Sequence, residues 1–148
     1  QNLNVLDMNN VNTANVTSMS SMFFVTGRYS PNFTLNLGSE FNTSNVTNMS
    51  LMFAHTGYSS TNFTLNLGNQ FNTSNVTNMS DMFYYTGYSS SWTLNLKSFD
   101  FSKVGSKYSG FFTTRSSSNI LTVLCSPTNG DFINARVSGL AGYNVVCS

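Results

Sequence analysis

The sequence predicts an α/β, leucine-rich-repeat-like solenoid. About four coils of 28–30 residues, each strand, turn and short helix, would share a parallel sheet and end in a C-terminal capping coil. Three observations predict it. The stretch Phe41–Gly57, FNTSNVTNMSLMFAHTG, recurs thirty residues later as Phe71–Gly87, FNTSNVTNMSDMFYYTG, and more loosely as Val11–Gly27. Each full repeat carries two hydrophobic periods, one of two residues and one suited to a helix. One such unit cannot bury its own apolar face, so neighbours must stack.

The strand half comes first. In NFTLNL (Asn32–Leu37 and Asn62–Leu67) and SWTLNL (Ser91–Leu96), the residues Phe33, Leu35, Leu37 and their counterparts alternate with polar ones. That alternation predicts strands with one buried face. The outward positions Thr34, Thr64 and Thr93 then stack into one ladder, and Asn36, Asn66 and Asn95 into another. In the second half, Val46, Met49, Met52 and Phe53 fall on one helical stripe, repeated by Val76, Met79, Met82, Phe83 and by Val16, Met19, Met22, Phe23. Ser44 and Ser74 stand where N-caps belong, and Gly27, Gly57 and Gly87 where a left-handed C-terminal residue is wanted.

The coils are expected near residues 1–27, 28–57, 58–87 and 88–112, with 113–148 as a cap on the same solenoid. The first coil is irregular, with LDM (Leu6–Met8) in place of LNL. The fourth decays: Phe99–Phe112 keeps Phe99, Val104 and Phe111, while Lys107 and Gly110 replace the two methionines. Beyond it, Asn119–Cys125 and Tyr143–Cys147 read as strands and Asp131–Val137 as a short helix. Cys125 and Cys147 are free thiols in a cytosolic protein and a disulfide in a secreted one; the sequons favour the disulfide. Paired strands would make the two cross-strand neighbours and staple the end.

Composition narrows the function. Of the 148 residues 40% are hydrophobic, so the chain can fill a core, but only 7% are charged. Soluble domains usually carry about 25% charged residues; here Asn, Ser and Thr must keep the surface wet. A net charge of +1 gives no electrostatic case for nucleic acid. No apolar run is long enough for a membrane span. The chain opens at Gln1, which suggests a processed, secreted chain or an excised fragment.

The phrase VTNMSxMF, preceded by FNTSN and followed by an LxL strand, resembles the repeats of the BspA-like leucine-rich repeat family. The match runs through Phe41–Phe53 and Phe71–Phe83, with looser copies at Val11–Phe23 and Phe99–Phe111. The resemblance covers roughly residues 6–112 and implies a solenoid that is secreted or displayed at the cell surface, where such proteins are linked with adhesion to host or matrix proteins.

No chemistry-bearing constellation emerges. The acids Asp7, Glu40, Asp81, Asp100 and Asp131 are spread along the chain, so paired-carboxylate catalysis is unsupported. The single histidine, His55, has Val25 and Tyr85 as its repeat equivalents. Metal-ligand spacing and phosphate loops are absent, so neither an enzyme nor a cofactor is expected. Glycosylation sequons are abundant; in a eukaryotic source one glycan per coil is expected, at Asn15, Asn32, Asn45, Asn62 or Asn75, whereas a bacterium gives them no such meaning. The expected function is an extracellular structural or adhesive repeat protein, a glycoprotein subunit stacking head to tail into a filament. The alternative is a binding module holding a glycan, a protein or ice on Thr34, Asn36, Thr64, Asn66, Thr93 and Asn95, with Tyr58 and Tyr88 nearby. The bland explanation of that ladder is that Thr suits strands and Asn ladders bond along them.

Overall fold

The computed structural model of the protein describes residues 3–148; Gln1, read above as a processed terminus, lies outside the described residues. It is a solenoid with parallel strands. β1 (Val5–Asp7), β2 (Asn32–Asn36) and β3 (Asn62–Asn66) form one three-stranded parallel sheet. β4 (Trp92–Asn95), β5 (Leu121–Cys125) and β6 (Tyr143–Cys147) form a second. Phe33 pairs with Phe63, Thr34 with Thr64 and Asn36 with Asn66, so equivalent residues of successive coils lie side by side. The alternating residues do as their pattern requires: Phe33, Leu35 and Leu37 are buried, and so are Trp92, Leu94 and Leu96.

The second half of each coil is not a helix. Over residues 50–59 the chain runs through successive turns. One set of amides closes local turns: Met52 to the Met49 carbonyl, Ala54 to Leu51, Thr56 to Phe53. The alternate set leaves the coil: Met49, Leu51, Phe53 and His55 donate to the carbonyls of Asn78, Ser80, Met82 and Tyr84. A helix would keep all these bonds to itself. Left-handed residues such as Leu51 (φ 58°) and His55 (φ 58°) break the helical path and aim every second amide at the next coil. Composition helps, because Asn and Ser compete with helical bonding: the Asn48 side chain accepts the Ser50 amide at 3.0 Å. The expected caps also change hands. Asn42 and Asn72, not Ser44 and Ser74, supply the capping oxygens, accepting the amides of Ser44 (2.9 Å) and Ser74 (2.8 Å). The predicted stripe nevertheless faces inward in the second coil, where Val46, Met49, Met52 and Phe53 are fully buried, whereas in the first coil Met19 and Phe23 are buried and Met22 is exposed. The single α-helix among the described residues, α1 (Gly130–Val137), lies beyond the repeats.

Aromatic rings tie the coils together. Phe23, Phe53 and Phe83 stack nearly parallel, with centroids 5.7 and 5.4 Å apart. Gly57 shows how little room is left: it sits at φ +59°, and a methyl group there would run into the Phe63 ring. Gly57→Ala is therefore expected to cost about 2–4 kcal/mol, adding left-handed backbone strain to overpacking. Urea denaturation measures this, and a loss below about 1 kcal/mol would contradict the packing described.

The fourth coil departs by one residue from the sequence alignment. Met79 and Phe83 donate to the carbonyls of Lys107 and Phe111, as Met49 and Phe53 donate to those of Asn78 and Met82. Tyr108, Phe111 and Phe112 therefore occupy the places of Met79, Met82 and Phe83. Lys107 is exposed; it does not replace a methionine.

The C-terminal end is closed by two devices. Cys125 and Cys147 are register partners in β5 and β6 and are disulfide-bonded, their Cα atoms 4.4 Å apart. Closing a loop of this length contributes about 3 kcal/mol in the chain-entropy account. The second device is Arg115, only 3% exposed, a residue the sequence did not single out. In the repeats, the Thr26 carbonyl receives the Gly57 amide and the Thr56 carbonyl the Gly87 amide. Where the next amide would stand, the Arg115 guanidinium donates instead: to Thr86 at 2.8 Å, Gly87 at 2.6 Å and Ser90 at 2.8 Å. One side chain thus replaces a missing rung. Burial lowers its pKa from the ordinary guanidinium value, while the Tyr143 and Tyr88 phenols raise it.

Tyr143 sits beside this cap. Its hydroxyl donates to the Thr113 carbonyl at 2.6 Å and accepts the Thr113 amide at 3.3 Å. Burial pushes the phenol up to about 12. An unfolded tyrosine titrates near 10, so the buried neutral phenol stabilises the fold fully below about pH 10 and loses that contribution as pH rises toward 12. Ultraviolet absorbance should show one tyrosine ionising last in the folded protein, and Tyr143→Phe should remove that step.

Candidate functional site

The expected ladder of threonines and asparagines is not one array. Thr34 and Thr64 belong to the first sheet, while Thr93 pairs with Thr122 in the second. Several of the asparagines are turned to local work: the Asn66 and Asn95 side chains accept the amides of Gly68 (3.0 Å) and Lys97 (3.1 Å), and Asn36 donates to Asp7 at 3.3 Å. A flat repeating lattice such as ice would require is therefore interrupted between β3 and β4.

The sequon residues Asn15, Asn32, Asn45, Asn62 and Asn75 are all exposed. Three of their amide nitrogens are committed between coils: Asn45 to the Ala14 carbonyl, Asn75 to that of Ser44, Asn62 to the Asn32 side chain. A glycan there would have to replace a bond that holds one coil to the next.

The most concentrated chemistry lies at the corner where the turn segment leads back to the strand. Tyr58 and Tyr88 stack in parallel at 5.2 Å. Tyr85 meets both edge-on, at 5.7 and 5.2 Å. His55 lies 5.2 Å from Tyr85, 5.6 Å from Tyr58 and 6.0 Å from Phe24. Arg28 lies over the Tyr58 ring at 5.3 Å. The cause is the repeat itself: Arg28, Tyr58 and Tyr88 hold the same place in successive coils, as do Val25, His55 and Tyr85. Stacking the coils stacks these columns. Phe24 is exposed and the tyrosines and His55 are half-buried, so the cluster lies at the surface rather than in the core. Burial, and then the Arg28 charge, lower the His55 pKa, which favours the neutral ring. Sequence reading named Tyr58 and Tyr88 as aromatics near the turn and weighed His55 only as a catalyst; it did not single out Phe24 or Arg28, although Arg28 shares the repeat position of Tyr58 and Tyr88.

Tyr29, 74% exposed, and Val25 also lie exposed in these segments, and Arg28 lies over the Tyr29 ring at 5.5 Å. Among the described residues no group of three or more His, Cys, Asp or Glu side chains comes together to hold a metal. The carboxylates stay separate: Asp7 accepts from Asn9, and Asp100 from Ser102. No helix among the described residues is long and apolar enough to cross a membrane.

A last feature is the uneven ends. Leu3, Val5, Val11, Met22, Phe24 and Val25, all on the first coil, are exposed, whereas the far end exposes Val146.

No curated protein and no solved structure matches the chain. One family model matches residues 1–123, from the first coil into β5, and the chain belongs to that family, DUF285, described as Mycoplasma protein of unknown function.

Proposed function

We propose that this chain is a cell-surface structural and adhesive repeat protein rather than an enzyme, and that it binds protein partners through the aromatic corner. The observation that carries the reading is the stacked surface cluster of Phe24, His55, Tyr58, Tyr85 and Tyr88 beside Arg28. Tyrosine and arginine are enriched among residues that dominate protein interfaces. Their rings offer apolar area at little entropic cost, because stacking already fixes them. The rigid solenoid supports the reading by presenting the cluster on a scaffold that needs no rearrangement. The resemblance to adhesive surface repeats points the same way.

The test is retention of the protein on a panel of immobilised matrix and cell-surface proteins. Wild-type protein should bind at least one, and the double variant Tyr58→Ser/Tyr88→Ser should lose about tenfold or more in affinity. Equal binding by the variant, or none by wild type, would remove the corner from the account.

End-to-end association is a second reading, supported by the apolar residues on the first coil. They form a surface that a further coil would cover, and β1 and β6 both offer strand edges in the same parallel sense. A second copy could supply that coil. Analytical ultracentrifugation across a concentration series should show association, and Met22→Lys/Phe24→Lys should abolish it. A monomer at all concentrations would contradict self-assembly.

A further inference from the structure

The two sheets meet at a break. No ladder joins β3 to β4, although their Cα atoms approach within 8 Å. The sequence explains the gap. In coils two and three the strand is followed by a left-handed glycine, Gly38 (φ 78°) and Gly68 (φ 73°). Coil four has Lys97 there, and its corner reaches Phe99 one residue sooner than Gly68 reaches Phe71. Trp92 also replaces the phenylalanine of Phe33 and Phe63. Where Phe33 and Phe63 stack at 26°, Trp92 meets Phe63 edge-on at 87°, with centroids 4.8 Å apart. The fourth coil therefore leaves the path of the third. The backbone records it: Leu37 donates to the Asn66 carbonyl and Leu96 to that of Leu124, but the equivalent Leu67 amide meets no carbonyl of β4.

One cleft opens along this break and a second beside it, at the corners of coils two to four; they share Phe71 and Ser98. The larger, of about 520 Å³, is lined by Asn42, Asn69, Gln70, Asn72 and Asp100. The smaller, of about 170 Å³, continues past Leu67, Thr93 and Asn95. The larger alone lies within the usual size of small-molecule sites, about 300–1,000 Å³.

We propose that this groove binds a neutral carbohydrate. Its amides and hydroxyls both donate and accept, as a polyol requires. Half-buried Leu67 offers a small apolar surface to the C–H face of a sugar ring, and Phe71, buried against Phe99, lines the floor. No basic side chain lines it, so an anionic ligand finds no counter-charge. The one carboxylate, Asp100, already accepts the Ser102 amide at 2.8 Å. A peptide strand does not fit between β3 and β4, because inserting one would need about twice the 4.8 Å strand spacing. The site is separate from the aromatic corner and independent of it.

Isothermal titration with a panel of neutral oligosaccharides built from glucose, galactose, mannose and N-acetylglucosamine tests the assignment. At least one should bind the wild-type chain. Ser98→Trp and Asn69→Trp, at exposed positions, should each plug the groove and weaken binding about tenfold or more. Tyr58→Ser/Tyr88→Ser should bind as wild type. Thermal melting confirms that the plugged variants fold. The proposal is overturned if no oligosaccharide binds at millimolar concentration, if both plugged variants bind unchanged, or if only the corner variant loses binding.

Discussion

Arg115→Ala is expected to destabilise the protein by about 3–5 kcal/mol, among the largest losses available to a single substitution in this chain. The guanidinium donates to the carbonyls of Thr86, Gly87 and Ser90, and its Nε to that of Asn119 at 3.3 Å. The Thr86 carbonyl lies where a following coil's amide would have reached it, and alanine removes the donors to it and to the Ser90 carbonyl, while the Gly87 carbonyl still accepts the Ser90 amide at 3.1 Å. Arg115→Met, which keeps the volume, should lose nearly as much, because hydrogen bonding rather than packing is removed. Arg115→Lys should recover only part: one ammonium cannot span carbonyls that a planar fork serves together. Denaturant unfolding of the three variants gives the order. A loss below about 1 kcal/mol for alanine would show that water satisfies the carbonyls and that the end is not capped by this residue.

Phe53→Ala should cost a comparable 3–5 kcal/mol, for a different reason. Its ring is fully buried between Phe23 and Phe83, so truncation opens a cavity in the middle of the stack. Repeat proteins draw stability from contacts between nearest neighbours, and this one residue serves two such interfaces. Phe24→Ala, one coil earlier and exposed, should change stability by no more than about 0.5 kcal/mol. If both variants unfold alike, the stack does not organise the core.

Much of this architecture was legible in the sequence because the strand signal has few competitors. The alternation of Phe33, Leu35 and Leu37 admits one buried face, and the thirty-residue period fixes which residues lie beside which. Pairing of Cys125 with Cys147 followed from reading both flanking segments as strands. The turn half was misread for a physical reason. Spacing of i, i+3, i+6, i+7 states only which side chains face inward, and a run of turns satisfies it as well as a helix. Backbone bonding decides between them, and it depends on a neighbour thirty residues away: the Phe53 amide goes to Met82, a partner no local window contains. Arg115 escaped notice because its role is defined by what is missing after coil three. The ladder of Thr34, Thr64 and Thr93 failed as one array because the corner before Phe99 is one residue shorter and Trp92 cannot stack as a phenylalanine does. Tyr58 and Tyr88 were legible as aromatics; their column with Arg28, and that of His55 with Tyr85, needed the coils laid on one another.

The functional reading rests on the corner, and amide hydrogen exchange tests it most directly. The protein is compared alone and bound to the immobilised partner that retains it. Slowed exchange at residues 54–58 and 84–88, with the strand faces and the β3–β4 groove unchanged, is the result the account predicts. Protection confined to the strand face or to the ends, with the corner exchanging as in the free protein, would contradict it.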